Sequence, residues 1–120
     1  MLLLRDETLP PTFPENHRML MHTVYLWLHD HLTEPEQRAF HDGLKVLTTA
    51  PSVVQGYVGV PADITREIID RSYDYSLVLI FNDMEGHNKF QTDPRHHHFR
   101  DTFRTYWKKV LIYDSVEVEP

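Results

Sequence analysis

Apolar residues alternate with their neighbours along several segments of the chain, which is the pattern of β-strands. The segments are residues 19–29, 53–60, 75–81 and 110–118. In the first and third segments both alternate sets of residues are largely apolar, so both faces of these strands are predicted to be covered. The pattern therefore predicts a sheet that is apolar on both sides.

Helix signals separate the first two strands. Thr33 can cap a helix, Glu36 stands where a capping box requires it, and Pro35 lies in the first turn. Gly43 weakens this helix, which is predicted to end before Pro51.

Two more helices are predicted between the last two strands. The first is short, is capped by Asn82 or Asp83 and ends near Gln91. The second is capped by Asp93 and is predicted to extend over residues 94–109. The order of the main elements is β-α-β-β-α-β. We therefore expect a ferredoxin-like α+β domain with a four-stranded antiparallel sheet and helices on one face.

Helices on one face leave the other face of the sheet without a cover. An apolar surface of that size is rare on a monomer, so we expect a homodimer that packs sheet against sheet. The alternative is that the N-terminal segment covers this face within one chain. The residues predicted on the open face are Tyr25, Trp27, Val78, Ile80, Leu111 and Tyr113.

The chain of 120 residues has the length of a single domain. Residues 1–18 contain Pro10, Pro11 and Pro14 and predict an extended arm, with a disordered tail as the alternative. The domain is then expected over residues 19–120.

Charge and composition narrow the classes of partner. A net charge of −6 argues against nucleic acid and against anionic membrane surfaces. The apolar Met1–Leu4 stretch is too short for a signal peptide or a membrane helix, and the absence of cysteine is compatible with the cytoplasm, where we expect the protein. The four glycines are scattered, so no phosphate-binding loop and no cofactor are predicted.

Nine histidines are the unusual feature of the composition, and His96 is the most informative of them. At about 100° per residue, His96 lies on the same helix face as Phe99 and Trp107, whereas His97 and His98 point to solvent. His96 is predicted either to be a buried structural residue with one polar partner or to line a pocket as a neutral general base.

The other histidines give weaker signals. His22 shares a strand face with apolar residues and could face the same pocket, or it could be bonded at the surface at a strand end. Consecutive helical histidines diverge, so His96-His97-His98 cannot chelate one ion, and we predict no metal site. Four others, His29, His31, His41 and His87, are interpreted as solvent-facing or loop residues.

The aromatic residues of the helical segments would form either the core or the wall of a small apolar pocket. With His96 as the candidate catalytic base, the candidate ligand-binding residues are His22, Phe40, Phe90, Phe99, Phe103 and Trp107.

Three stretches of the sequence together resemble the stress-responsive A/B barrel family of dimeric α/β barrels. They are His22-Thr23-Val24-Tyr25-Leu26-Trp27-Leu28, Gln91-Thr92-Asp93-Pro94-Arg95-His96 and Tyr106-Trp107-Lys108-Lys109-Val110-Leu111-Ile112-Tyr113-Asp114. The resemblance covers residues 19–116. It implies a ferredoxin-like protomer, a homodimer whose two sheets form a barrel, and, in some members, a pocket between sheet and helices.

The resemblance implies less about function. Many members have no assigned reaction, some are linked to stress tolerance, and a plant member is a polyketide cyclase. In that cyclase a histidine at the position of His96 acts as base with the help of tyrosines, whereas Phe90 and Leu44 stand at the matching positions here. We therefore expect a homodimeric, stress-associated protein that binds a small hydrophobic ligand without catalysis. The alternative is a cofactor-free enzyme, polyketide cyclase-like or quinol monooxygenase-like, with His96 as general base.

Overall fold

The computed structural model describes residues 17–119. Nearly all of the predicted N-terminal arm lies outside the described residues. The predicted ferredoxin-like α+β fold is confirmed, and both helices predicted between the last two strands are present. The elements are β1 (Leu20–Leu28), α1 (Glu34–Leu47), β2 (Gln55–Gly59), β3 (Tyr75–Phe81), α2 (Met84–Gln91), α3 (Pro94–Phe103) and β4 (Trp107–Val116).

The strands form one antiparallel sheet in the order β2-β3-β1-β4. Residues directly opposite each other in antiparallel strands point to the same side of the sheet. His22 stands opposite Leu79 of β3 and opposite Asp114 of β4, so these three side chains share one face. Since β1 is central, its residues decide what lies in the middle of each face.

The helices begin where the capping signals predict. Thr33 and Glu36 exchange the two hydrogen bonds of a capping box, at 3.2 and 2.8 Å. Asp83 accepts a hydrogen bond from the Gly86 amide at the start of α2, and Asp93 accepts one from the amide of Arg95 in α3. Each cap satisfies an amide that has no partner inside its helix.

The predicted end of α3 is wrong. The helix stops at Phe103, and residues 107–109, predicted as helix, already pair with β1. The Tyr106 amide donates to the Phe103 carbonyl at 2.8 Å, and the Tyr106 carbonyl accepts from the His29 amide at 3.0 Å. These bonds turn the chain into the sheet early, so Trp107 is a strand residue and not a helix residue.

The core lies between the helices and the covered face of the sheet. Phe40 of α1 is at its centre with 0% exposure, and its ring packs against Phe99 and Phe103. A Cβ atom at Gly43 would stand 2.5 Å from the Phe103 ring, so this glycine is what lets α3 approach α1. Within the described residues no helix is long and apolar enough to cross a membrane.

The opposite face, which we call the outer face, is apolar and exposed, as the alternation predicts. Tyr113 and Tyr57 are each 58% exposed, and Leu111 is 36% exposed. The rings of Tyr25 and Tyr73 lie 4.9 Å apart on this face. No helix of the described chain packs there.

Candidate functional site

A cavity of about 200 Å³ lies between the covered face of the sheet and the helices. It exists because the helices pack mainly over β1, β2 and β3. Val110 and Ile112, on the covered side of the edge strand β4, are therefore 41% and 50% exposed and line the cavity. The polar side chains of the lining are His22, His96 and Arg100; the remainder are apolar, among them Val24, Leu44, Leu77, Phe90 and Phe99.

The structure brings five of the seven residues singled out from the sequence to this cavity. They are His22, Phe90, His96, Phe99 and Trp107. Trp107 lines the cavity from β4, and its ring is stacked on that of Phe99 at an interplanar angle of 10°.

Phe40 and Phe103 do not line the cavity, which corrects their prediction as pocket walls. Their rings pack against each other between α1 and α3, with centroids 5.6 Å apart. The helical pattern identified them as buried, but it does not distinguish the packed centre of a core from its open edge.

His96 lies in the first turn of α3 with its ring half-buried and edge-on to Phe90, at 5.1 Å between centroids. Its Nδ1 is shielded from solvent and has no hydrogen-bond partner among the described residues. The polar partner predicted for a buried His96 is therefore not found at this nitrogen. His97 and His98 are exposed, as predicted.

The surroundings of His96 favour its neutral form. Burial lowers the pKa of His96 below its ordinary value, and the positive charge of Arg100 lowers it further, as do His97 and His22, whereas Asp93 acts in the opposite direction. Protonation would place a charge in an apolar lining with an unpartnered nitrogen. The imidazole is therefore neutral near pH 7 and able to accept a proton.

His22 is buried, with 5% exposure, on the covered face of β1. This rules out the surface position that the sequence left open. Its Nδ1 lies 2.5 Å from Oδ1 of Asp114, which stands opposite on β4. An ionised carboxylate only accepts, so Nδ1 is the donor, and in the neutral imidazole Nε2 keeps a lone pair.

His87 is a residue that the sequence analysis missed. It was interpreted as a solvent-facing or loop residue, but it is half-buried on α2. Its ring lies 5.5 Å from that of His22, and its Nε2 lies 3.9 Å from Oδ2 of Asp114. One signal could have located it: His87 precedes the buried Phe90 by one helical turn and so shares its face.

Arg100 stands at the mouth of the cavity, one helical turn after His96. Its Nη2 donates to Nδ1 of His97 at 3.0 Å, and its Nε lies 3.8 Å from the carboxylate of Asp101. The guanidinium is thereby held near the entrance, where it can meet the polar end of a ligand.

A curated relative is similar to this chain over most of its length. The chain is 26% identical over 94 residues to olivetolic acid cyclase of Cannabis sativa, covering 78% of this chain and 91% of the relative.

Solved structures share the fold. A Dabb family protein with a ferredoxin-like fold from Mesorhizobium loti is 25% identical, with a TM-score of 0.67 over 84% of this chain and 98% of that one. A dimeric ferredoxin-like protein of unknown function from Thermobifida fusca is 14% identical, with a TM-score of 0.70 over 83% and 92%.

The family model described as the stress responsive A/B barrel domain matches residues 20–117. The match begins at the first residue of β1 and runs past the end of β4, so it includes every strand and helix that forms the cavity. The chain therefore belongs to the stress responsive A/B barrel domain (Dabb) family.

Proposed function

We propose that this protein binds a small, largely apolar molecule in the cavity between sheet and helices. The observation that carries the proposal is the position of His96, a neutral imidazole in a mostly apolar lining that is open at the edge strand. Apolar walls with a few polar groups at defined positions are typical of small-molecule sites. The ligand chemistry that fits is a hydrophobic body with one polar or acidic group near His96 and Arg100.

The second candidate function is catalytic: His96 removes a proton from the bound molecule, without a cofactor. A neutral imidazole is a competent base near pH 7, and its lowered pKa keeps it in that form. The similarity to olivetolic acid cyclase favours a ring-closing reaction. In such a step the imidazole takes a proton from a CH₂ group between two carbonyls, and the carbanion attacks a third carbonyl of the same molecule.

The lining limits how that step can be assisted. Phe90 and Leu44 carry no hydroxyl group and both face the cavity. Proton transfer would therefore rest on His96, and stabilisation of the developing oxyanion would fall to Arg100.

We further propose that the protein is a homodimer joined through the outer face. This proposal is supported by the exposure of Tyr113, Tyr57 and Leu111 on that face. It is also supported by the Thermobifida fusca protein of the same fold, which is described as dimeric. A dimer of this kind buries the outer face and leaves the cavities on its outside. We also propose that residues 19–120 form the domain and that the protein is located in the cytoplasm.

A thermal-shift screen of small aromatic and aliphatic acids and ketones tests the binding function. We expect hits that raise the melting temperature of the wild type and of His97→Ala, and that lose this effect in His96→Ala. Hits that stabilise His96→Ala as strongly as the wild type would contradict the role of His96.

The catalytic candidate needs a separate readout. A linear β-polyketone is incubated with wild type, His96→Ala and His97→Ala, and ring closure is followed by absorbance. The catalytic function is supported if the wild type and His97→Ala close the ring and His96→Ala does not. Binding without turnover in the wild type restricts the function to binding.

A further inference from the structure

We propose that His22, His87 and Asp114 form a binding site for one divalent transition-metal ion of the zinc class, beside the cavity. One ligand atom from each of the three side chains lies within 4.8 Å of the others. The residues come from β1, α2 and β4, so the cluster is made by the fold and has no counterpart in sequence spacing. The proposal is independent of what the cavity binds.

The hydrogen bonds around His87 leave a lone pair facing a carboxylate. Its Nδ1 lies 3.1 Å from Oδ1 of Asn88, an acceptor, so in the neutral imidazole Nδ1 carries the proton and Nε2 is the acceptor. Nε2 then faces Oδ2 of Asp114 at 3.9 Å. Gln91 reaches the same nitrogen with its amide only at 3.5 Å. Two acceptors that face each other in this way are stabilised by a cation between them.

The geometry needs small movements to accept the ion. Zn–N and Zn–O bonds of about 2.0–2.2 Å place neighbouring tetrahedral ligand atoms roughly 3.4 Å apart. The gap between His87 and Asp114 must close slightly, and the contact between His22 and Asp114 must open from 2.5 Å. The carboxylate of Asp114 is 40% exposed, which leaves room on its solvent side for it to turn. His22 then binds through Nδ1 and moves its proton to Nε2, so the imidazole stays neutral.

The ligand types select the metal. Imidazole nitrogen together with one carboxylate suits Zn²⁺, Co²⁺ or Ni²⁺, whereas Mg²⁺ and Ca²⁺ prefer sites built from oxygen alone. Three protein ligands leave at least one position open for water or for a further ligand. His22 belongs to both the cluster and the cavity lining, so that open position lies next to the cavity.

Titration of tag-free, EDTA-treated protein with Zn²⁺ in a calorimeter tests the site. We expect one ion per chain and a loss of affinity of at least ~10-fold in His87→Gln, as for the removal of a metal-binding group. Asp114→Asn should weaken binding to the same extent, while Co²⁺ should give visible absorption bands with the wild type only. The matched control removes a surface pair, the stacked imidazoles of His29 and His31, with both changed to Ala.

Three results would overturn the proposal. They are the absence of saturable binding below roughly 100 µM, equal Zn²⁺ affinity in wild type and His87→Gln, and loss of binding in the His29/His31 control alone. Circular dichroism checks that His87→Gln is folded in the absence of metal. If it is not folded, the comparison rests on Asp114→Asn, whose side chain lies at the surface of the cluster.

Discussion

The two faces of the sheet are both apolar, but they lie in different environments. Leu79 on the covered face is 0% exposed, whereas Tyr113 on the outer face is 58% exposed. Alternation along a strand determines which residues share a face. What covers that face depends on the other elements of the fold. Here the helices cover one side, and the outer face is left exposed in the single chain.

The covered face is itself incomplete, and this difference within one face produces the cavity. Leu77 and Leu79 of β3 lie beneath the helices, whereas Val110 and Ile112 of the edge strand remain partly exposed. A helix layer narrower than the sheet leaves a cleft along the last strand. The polar residues His22 and His96 meet at that cleft and not in the packed centre.

The largest effect should come from the packed centre of the covered face. Phe40→Ala removes a fully buried ring that contacts Phe99 and Phe103, and the cost should be about 3–5 kcal/mol of unfolding free energy. Urea denaturation measures it. Val46→Ala, at an exposed position of the same helix, should cost less than about 1 kcal/mol. Equal losses would mean that the core is wrongly located.

A charge on the outer face should break the proposed dimer. Tyr25→Glu would place an unpaired carboxylate in the interface and should weaken association by at least ~10-fold. Light scattering at micromolar concentration should then show the monomer mass of 14.3 kDa. Val46→Glu, on the far side of α1, should leave the dimer intact. A wild type that is already monomeric would refute the proposed role of this face.

A matched pair of glycines tests how closely the helices pack. Gly43→Ala drives a methyl group into Phe103 and should destabilise the protein by roughly 1–3 kcal/mol. At Gly86 of α2 the nearest contact of an added Cβ is 3.4 Å, so Gly86→Ala should be neutral or stabilise by up to about 1 kcal/mol. Thermal unfolding of both variants gives the comparison.

The smallest effect is a pH dependence from His96. Its folded pKa lies below the ordinary value of 6.5, so the unfolded chain binds the proton more tightly. The contribution of neutral His96 to the free energy of unfolding is therefore complete above the ordinary pKa. It falls as the pH drops from the ordinary pKa towards the lowered pKa of the folded state, and it does not change further below that. Urea midpoints between acidic and neutral pH should show a shallower fall in His96→Gln than in the wild type. His98→Gln should behave as the wild type.

The sequence predicted the helix starts because they depend on local chemistry. Thr33, Asp83 and Asp93 bond to amides two or three residues away, and those partners are visible in the chain. The predicted end of α3 was wrong because no glycine or proline follows Phe103 closely enough to signal the end of the helix. There the apolar pattern that predicts a helix continues through Trp107, and only pairing with β1 interrupts it.

The part of the site that depends on local spacing could also be predicted, and the part that depends on strand pairing could not. His96 and Phe99 are on one helix, so their common face follows from rotation per residue. The pair of His22 and Asp114 spans 92 positions and depends on which strands become neighbours and in what register. The spacing of residues within one helix or strand gives no information about which strands pair.

The two tryptophans of the chain offer the most direct test of the central claim, that the covered face binds the ligand and the outer face binds a second copy. Trp107 lines the cavity, and Trp27 lies on the outer face, where its Nε1 donates to Ser72. Their indole signals are followed by ¹H–¹⁵N NMR. Adding a hit from the screen should shift Trp107 alone, and dilution should shift Trp27 alone. A ligand that shifts Trp27 and leaves Trp107 unchanged would contradict this account.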